Sequence, residues 1–266
     1  MSAREATVLE RILAETREEV ARRKRELPLQ PSAAEVSRDE VGAGRFRDAL
    51  SAHGVGVIAE FKRRSPSAGK LREAPDLGEI VSAYERGGAV AVSVLTEGPN
   101  FEGALEDLRL ARATCTLPLL RKDFVVDPYQ LYEAIAAGAD AVLLIVAALE
   151  QEQLASLYQE ARSIGLDVLV EVHDRDELQR ALAVGAEIVG VNNRDLRDFS
   201  VDVQRTERLM DEVPRGVVVV SESGIVDAAQ LSSLRERGVQ AVLVGEALMR
   251  SGDPEAALRE LRSATS

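Results

Sequence analysis

Between Val55 and Glu246 the chain repeats one pattern: a short, almost unbroken apolar run, then a longer stretch whose apolar residues return every three or four positions. The runs read VGVIAEFK, AVAVSVLTE, LPLLRKD, AVLLIV, DVLVEV, EIVGVNN, GVVVVSES and AVLVGE. Apolar runs without alternation predict parallel strands buried on both faces. The stretches between them predict amphipathic helices, three with start signals at Asp127-Pro128, Asp227 and Asp253-Pro254. Eight such units in one chain predict an α/β protein with a closed (β/α)8 TIM barrel rather than an open sheet.

An internal repeat supports the closed barrel. GGAVAVSVL, GADAVLLI, GAEIVGVN and GVQAVLVG each place a glycine and small residues before strand entry, with glycines at 88, 138, 185 and 238. That spacing spans two strand–helix units each time, so these glycines are expected to end the helices that lead into strands two, four, six and eight. Upstream, Val8, Leu9, Ile12, Leu13 and Val20 share one face of a charged helix. An irregular connection, PLQPSAAEVSRDEVGAG, and a short helix, RFRDAL, follow it. The predicted organisation is one domain over 1–266: an N-terminal helical extension (1–50) and the barrel (55–266).

Polar residues collect where the apolar runs end. They are Glu60 and Lys62, Glu97, Lys122 and Asp123, Glu171, Asn192, Asn193 and Arg194, Ser221 to Ser223, then Gly245 and Glu246. The loops that follow barrel strands converge on one face, so these side chains are expected to share one site. Glu60 and Lys62 are two apart on the first strand and so point the same way. Any one of them could be a rim charge, but a polar end on nearly every strand argues for chemistry. At SESG and VGEAL, glycines beside a new helix start offer N–H groups to an anion, with Ser223 as a hydroxyl donor and Arg194 or Lys62 as the cation. His173 is read as lying on the opposite strand face from Glu171, away from the chemistry.

Composition narrows the partners. The net charge of −12 argues against nucleic acid and anionic membrane surfaces, though not against a small anion held by local groups. Aromatic residues make up 3%, with no tryptophan, so the core must be aliphatic. One cysteine, Cys115, precludes an intrachain disulfide or a cysteine metal cluster, and two histidines, His53 and His173, are too few for a histidine metal site. No apolar run approaches the ~20 residues that span a bilayer, and the N-terminus lacks the apolar core of a signal peptide. A cytoplasmic protein is expected. SPSAGKL lacks the first glycine and the final hydroxyl of a phosphate loop, and SESG lacks the first glycine of a nucleophile elbow.

Taken in order, VIAEFKRRSPSAG, VSVLTE, PLLRKDFVVDPYQ, ADAVLLI, LVEVHD, GVNNRDL, SESGI and VLVGEALMR resemble the indole-3-glycerol phosphate synthase family along essentially the whole chain. The resemblance implies a ring-closing decarboxylation and dehydration of an anionic sugar phosphate. By it, Lys122 corresponds to the general acid, Glu171 to the base of dehydration, and Lys62 to a second lysine near the substrate carboxylate and phosphate. Glu60, Asn192 and Glu222 correspond to the polar network around the reacting hydroxyl and ring. Arg194, Ser223, Gly224, Gly245 and the Glu246 backbone correspond to the phosphate side, the Glu246 carboxylate being expected to point away. Phe124 and Leu143 correspond to the walls of the aromatic pocket, and Ser65 falls near the carboxylate.

Elementary chemistry agrees with that implication. A cation beside the ketone oxygen lowers the barrier as the aromatic carbon attacks, and Lys62 is expected to depress Lys122. Neither step calls for hydride transfer, a metal or a prosthetic group, so no cofactor is expected. A monomer is the favoured state. The competing readings are a sister phosphate-binding barrel such as phosphoribosylanthranilate isomerase, and a catalytically silent barrel that only binds.

Overall fold

The structure, a computed structural model, describes residues 7–28, 43–52, 54–195, 200–225 and 228–263. Eight strands are parallel and close on themselves. They are β1 (Gly56–Phe61), β2 (Ala91–Leu95), β3 (Leu119–Lys122), β4 (Ala141–Ile145), β5 (Asp167–Val172), β6 (Ile188–Asn192), β7 (Val218–Glu222) and β8 (Ala241–Val244). Each pairs with its sequence neighbours, and β8 returns to β1 through Gly56↔Ala241 to Ala59↔Val244. The uninterrupted apolar runs thus have their physical reason: from Ala91 to Leu95 and from Ala141 to Ile145 every residue is buried, between barrel interior and surrounding helices.

The helices are α1 (Val8–Glu26), α2 (Arg45–Leu50), α3 (Leu77–Gly87), α4 (Leu105–Thr114), α5 (Pro128–Ala136), α6 (Gln151–Ser163), α7 (Arg175–Ala183), α8 (Gln204–Met210), α9 (Ala228–Glu236), α10 (Glu246–Arg250) and α11 (Pro254–Ser263). Asp127 caps α5 by accepting the Tyr129 N–H, with Pro128 in the first turn, and Asp253 accepts the Ala256 N–H at the start of α11. The signal at Asp227 lies outside the described residues. Gly88, Gly138, Gly185 and Gly238 all take φ between 80° and 88°, the left-handed turn that ends a helix, so the repeat marks the expected boundaries. Cys115 is the residue on which α4 ends.

The N-terminal stripe docks as predicted: Ile12, Leu13 and Val20 are buried, and Val8 and Leu9 pack partly against the core. Arg23 and Lys24 hold α1 to α5 through Glu133 (2.7 Å) and Asp127 (2.9 Å). The expected irregular connection over 29–42 and His53 lie outside the described residues. On α2 the N–H groups of Phe46 and Arg47 both donate at 3.0 Å to Asp167, at the start of β5. That places α2 at the barrel's N-terminal end, leaving the opposite end to the loops.

Several predicted strands run one or two residues too far. Lys62, Asp123, Asn193 and Ser223 follow the last paired residue, and Glu246 opens α10. Once the ladder ends, the chain diverges into its loop; Lys62, Asp123, Ser223 and Glu246 line the barrel mouth, while Asn193 is fully buried and hydrogen-bonds Ser221 and Thr206. The loop after β1 carries an unforeseen hairpin, Arg64–Ser65 against Gly69–Lys70, in which Ser65 Oγ accepts the Ala68 N–H.

Candidate active site

At the C-terminal mouth, the residues matched to the family by resemblance all line one cavity of about 460 Å³. Glu97, Asn193 and Ser221, expected to share the site, do not line it: Glu97 accepts the Asn100 and Phe101 N–H groups, and Asn193 and Ser221 hydrogen-bond each other. Glu60, the fifth residue of β1, is buried, and Lys62 Nζ lies 2.6 Å from its Oε1. A charge on a core strand is tolerable when it is paired, and this one is. Lys122 ends β3 with its Nζ 3.5 Å from Glu171 Oε2 on β5 and 3.7 Å from Glu222 Oε2 on β7. Asn192 stands opposite Glu222 in the β6–β7 register. Its Oδ1 accepts the Arg194 N–H at 3.0 Å, and its amide hydrogen-bonds Glu171. Two glycines make room for the carboxylates. A β-carbon at Gly190 would overlap Glu222 Oε1, and one at Gly245 would overlap Glu60 Oε1.

Three carboxylates around one ammonium divide into different charge states. Burial pushes Glu222 up, Glu171 and Glu60 push the same way, and it reaches about 8, against the pull of Lys122 and His173. Glu222 is therefore protonated at neutral pH. Burial also acts to raise Glu171, but Lys122, His173 and the Asn192 amide outweigh it and hold this carboxyl below the ordinary range. Burial alone would lower Lys122. Glu171, Glu222 and Glu60 overcome that and keep its ammonium protonated well above the usual lysine value. The expected depression by Lys62 is thus corrected: Lys62 is occupied with Glu60, and the carboxylates dominate the surroundings of Lys122.

Opposite this cluster the cavity is lined by Ser223, Gly224, Arg194 and the first turn of α10. Ser223 and Gly224 take consecutive positive φ of 65° and 78°, which turns the backbone sharply after β7. Gly245 precedes α10 with no side chain capping it. The Glu246 carboxylate does not point away as expected. It lines the cavity, accepts from Arg250 Nε at 3.1 Å, and lies 4.0 Å from Arg194 Nη2, because i,i+4 spacing stacks it beside Arg250.

Phe124 and Leu143 form apolar wall, with Phe101, Leu95, Ile145 and Leu243 beside them. Phe101 stands 6.4 Å from Phe124, centroid to centroid, on a loop between β2 and α4 where no periodicity marks it. Arg250 was also missed; its one signal is the four-residue offset from Glu246. His173 is corrected as well. Residues two apart on a strand share a face, and its Nε2 lies 3.4 Å from Glu171 Oε1.

Comparison with known proteins gives a consistent answer. The model of the family described as "Indole-3-glycerol phosphate synthase" matches residues 9–261. The chain is 49% identical over 259 residues to an indole-3-glycerol phosphate synthase of Aromatoleum aromaticum, covering 96% of this chain and 98% of that one. It is 48% identical over 254 residues to indole-3-glycerol phosphate synthase 2 of Streptomyces coelicolor, with the same coverage. Among solved structures, thiamine phosphate pyrophosphorylase from Pyrococcus furiosus superposes with a TM-score of 0.60 at 19% identity, covering 79% of this chain and 95% of that one. A KGPDC from Streptococcus mutans gives 0.58 at 12%, covering 80% and 97%. The two structural likenesses speak for the fold alone.

Proposed function

The chain belongs to the indole-3-glycerol phosphate synthase family, and from that premise we propose how its cavity residues divide the work. The reaction is the ring closure of 1-(2-carboxyphenylamino)-1-deoxyribulose 5-phosphate to indole-3-glycerol phosphate, a carboxy-lyase step of tryptophan biosynthesis that loses carbon dioxide and water. The observation that carries the assignment of roles is the Lys122 ammonium set between Glu171 and Glu222 inside the cavity.

Lys122 donates a proton to the ketone oxygen as the aromatic carbon bearing the carboxylate attacks the carbonyl carbon. Loss of carbon dioxide restores the aromatic ring. The new hydroxyl then takes a proton from Lys62 and leaves as water, while Glu171 takes a proton from the carbon between that centre and the nitrogen, so the indole keeps its N–H. Glu222, protonated near neutrality, and Asn192 supply hydrogen bonds to the departing hydroxyl without adding a second full negative charge beside Glu171. Glu60 holds Lys62, which faces the substrate carboxylate together with Ser65. Phe124 and Leu143 flank the aromatic ring. The phosphate sits at the Ser223–Gly224 turn and the Gly245–Glu246 backbone, balanced by Arg194 and displacing the Glu246 carboxylate from the cations.

All these residues come from one chain, which supports a monomer as the working unit, and the continuous core from Ile12 to Leu258 supports treating 1–266 as one domain. No helix of the described residues is long and apolar enough to cross a membrane. Cytoplasmic residence is proposed on that basis and on the single, buried Cys115. The family match sets aside the isomerase and the silent barrel. The test is incubation with the synthetic substrate while following carbon dioxide and indole fluorescence, against a low background because the chain lacks tryptophan. Substrate rearranged without carbon dioxide release would overturn the reading.

A further inference from the structure

Glu171 has two oxygens, and each faces a different basic group. Oε2 faces Lys122 at 3.5 Å and Oε1 faces His173 Nε2 at 3.4 Å. His173 is itself gripped from behind. Glu177 Oε2, from the first turn of α7, accepts the His173 backbone N–H at 2.7 Å and lies 3.0 Å from Nδ1. The result is a carboxylate–imidazole–carboxylate chain running outward from the cavity wall, with side-chain exposures of 1%, 10% and 17%. Around the ring stand Glu171 on β5, Glu177 on α7 and, opposing them, Arg205 on α8. The Arg205 guanidinium is committed to the Asn192 carbonyl at 2.8 Å and to Asp195 at 3.7 Å. Lys122, Asn192 and Glu222 lie beyond Glu171.

We propose that His173, held as a cation by Glu177, is the positioning residue that keeps Glu171 ionised and aimed into the cavity through dehydration. The inference rests on the reading of Glu171 as the base. Its chemical logic lies in the order of steps. When Lys122 gives its proton to the ketone oxygen it becomes neutral, and Glu171 loses one of the two cations that offset its burial. A buried carboxylate deprived of both would take a proton from its surroundings before the second step. His173 does not touch the reacting atoms and keeps its charge through the first step, so Glu171 reaches dehydration still able to accept. Two carboxylates against one committed guanidinium favour the protonated imidazole: burial opposes the charge, and Glu177 and Glu171 outweigh it and raise the imidazole above the ordinary histidine value.

The test uses His173→Phe, His173→Gln and Glu177→Gln in the full-length enzyme, with Glu171→Gln as reference. His173→Phe is expected to slow single-turnover indole formation by tenfold or more while carbon dioxide release and KM stay within about twofold. The acidic limb of its pH–rate profile should move up by about one pH unit. Gln at 173 restores a donor toward Glu171 without the charge, so it should recover part of the rate but keep the shifted limb. Glu177→Gln should lower the midpoint of the His173 imidazole resonance and draw the alkaline limb down with it. That resonance is simple to assign in a chain with two histidines. A neutral His173 in wild-type enzyme at pH 7, or profiles that do not move in any variant, would overturn the proposal. A Glu171→Gln enzyme with its dehydration rate intact removes the base assignment and the proposal together. One that loses the rate while His173→Phe keeps it removes the proposal alone.

Discussion

Replacing Glu222 with glutamine should stabilise the protein, and more so as the pH rises. Its carboxyl is 1% exposed, and neither oxygen has a hydrogen-bond partner among the described residues. Burial, with Glu171 and Glu60 nearby, raises it from the ordinary 4.5 to about 8. The folded chain therefore keeps a proton that the unfolded chain releases near 4.5, so stability is lost as pH climbs from 4.5 through 8. Each pH unit in that window costs about 1.4 kcal/mol, which sets a ceiling of about 5 kcal/mol at pH 8 and above. Glutamine has no proton to lose and pays none of it. For a chain of this size 1 kcal/mol moves Tm by about 2–4 °C. The gap between variant and wild type should be roughly 3 °C at pH 5.5 and roughly 10 °C at pH 8.5. Calorimetric scans of both proteins across pH 5–9 at fixed ionic strength and scan rate measure it. Parallel curves with a constant offset would refute the reasoning, because they would mean that Glu222 holds one charge state across the range. Activity should fall in the same variant, as a stability gain at a site shaped for chemistry would lead one to expect.

Four further outcomes follow from the site. Lys122→Ala should lower kcat by about 10²–10⁴-fold with KM little changed, since the lysine acts mainly in the transition state; near-normal kcat would pass the role to Lys62. Arg194→Ala should chiefly raise KM, by about ten- to a hundredfold, because phosphate is present in substrate and transition state alike. Crystals grown with phosphate should show the anion between Ser223–Gly224 and Gly245–Glu246, and an anion found only elsewhere counts against that placement. In Glu171→Gln, rapid quenching should show carbon dioxide released ahead of indole, with an intermediate accumulating; an equal fall in both without a lag would place Glu171 in the earlier step.

Much of this molecule is determined by local pattern. Residues 141–145, a short apolar run after a helix-ending glycine, read as a strand buried on both faces, and glycines 88, 138, 185 and 238 mark helix ends because a left-handed turn suits a residue without a β-carbon. The barrel and the position of its mouth follow from repetition of one strand–helix unit. The side chains at the mouth were legible too, since a polar residue ending an apolar run has few other places to go. What the pattern does not contain is how those side chains act on one another. Lys122, Glu171 and Glu222 are about fifty residues apart in the chain, and their charge states depend on distances of 3.5 and 3.7 Å that exist only after the barrel closes. Closure made Lys122 a firmly held ammonium and Glu222 a neutral acid. It also set Phe101 near Phe124, whereas Glu246 beside Arg250 and His173 beside Glu171 follow from spacing along one helix and one strand. Backbone period is a local property, written in successive residues. Electrostatic state is a sum over neighbours in space, and only the tertiary structure chooses those neighbours.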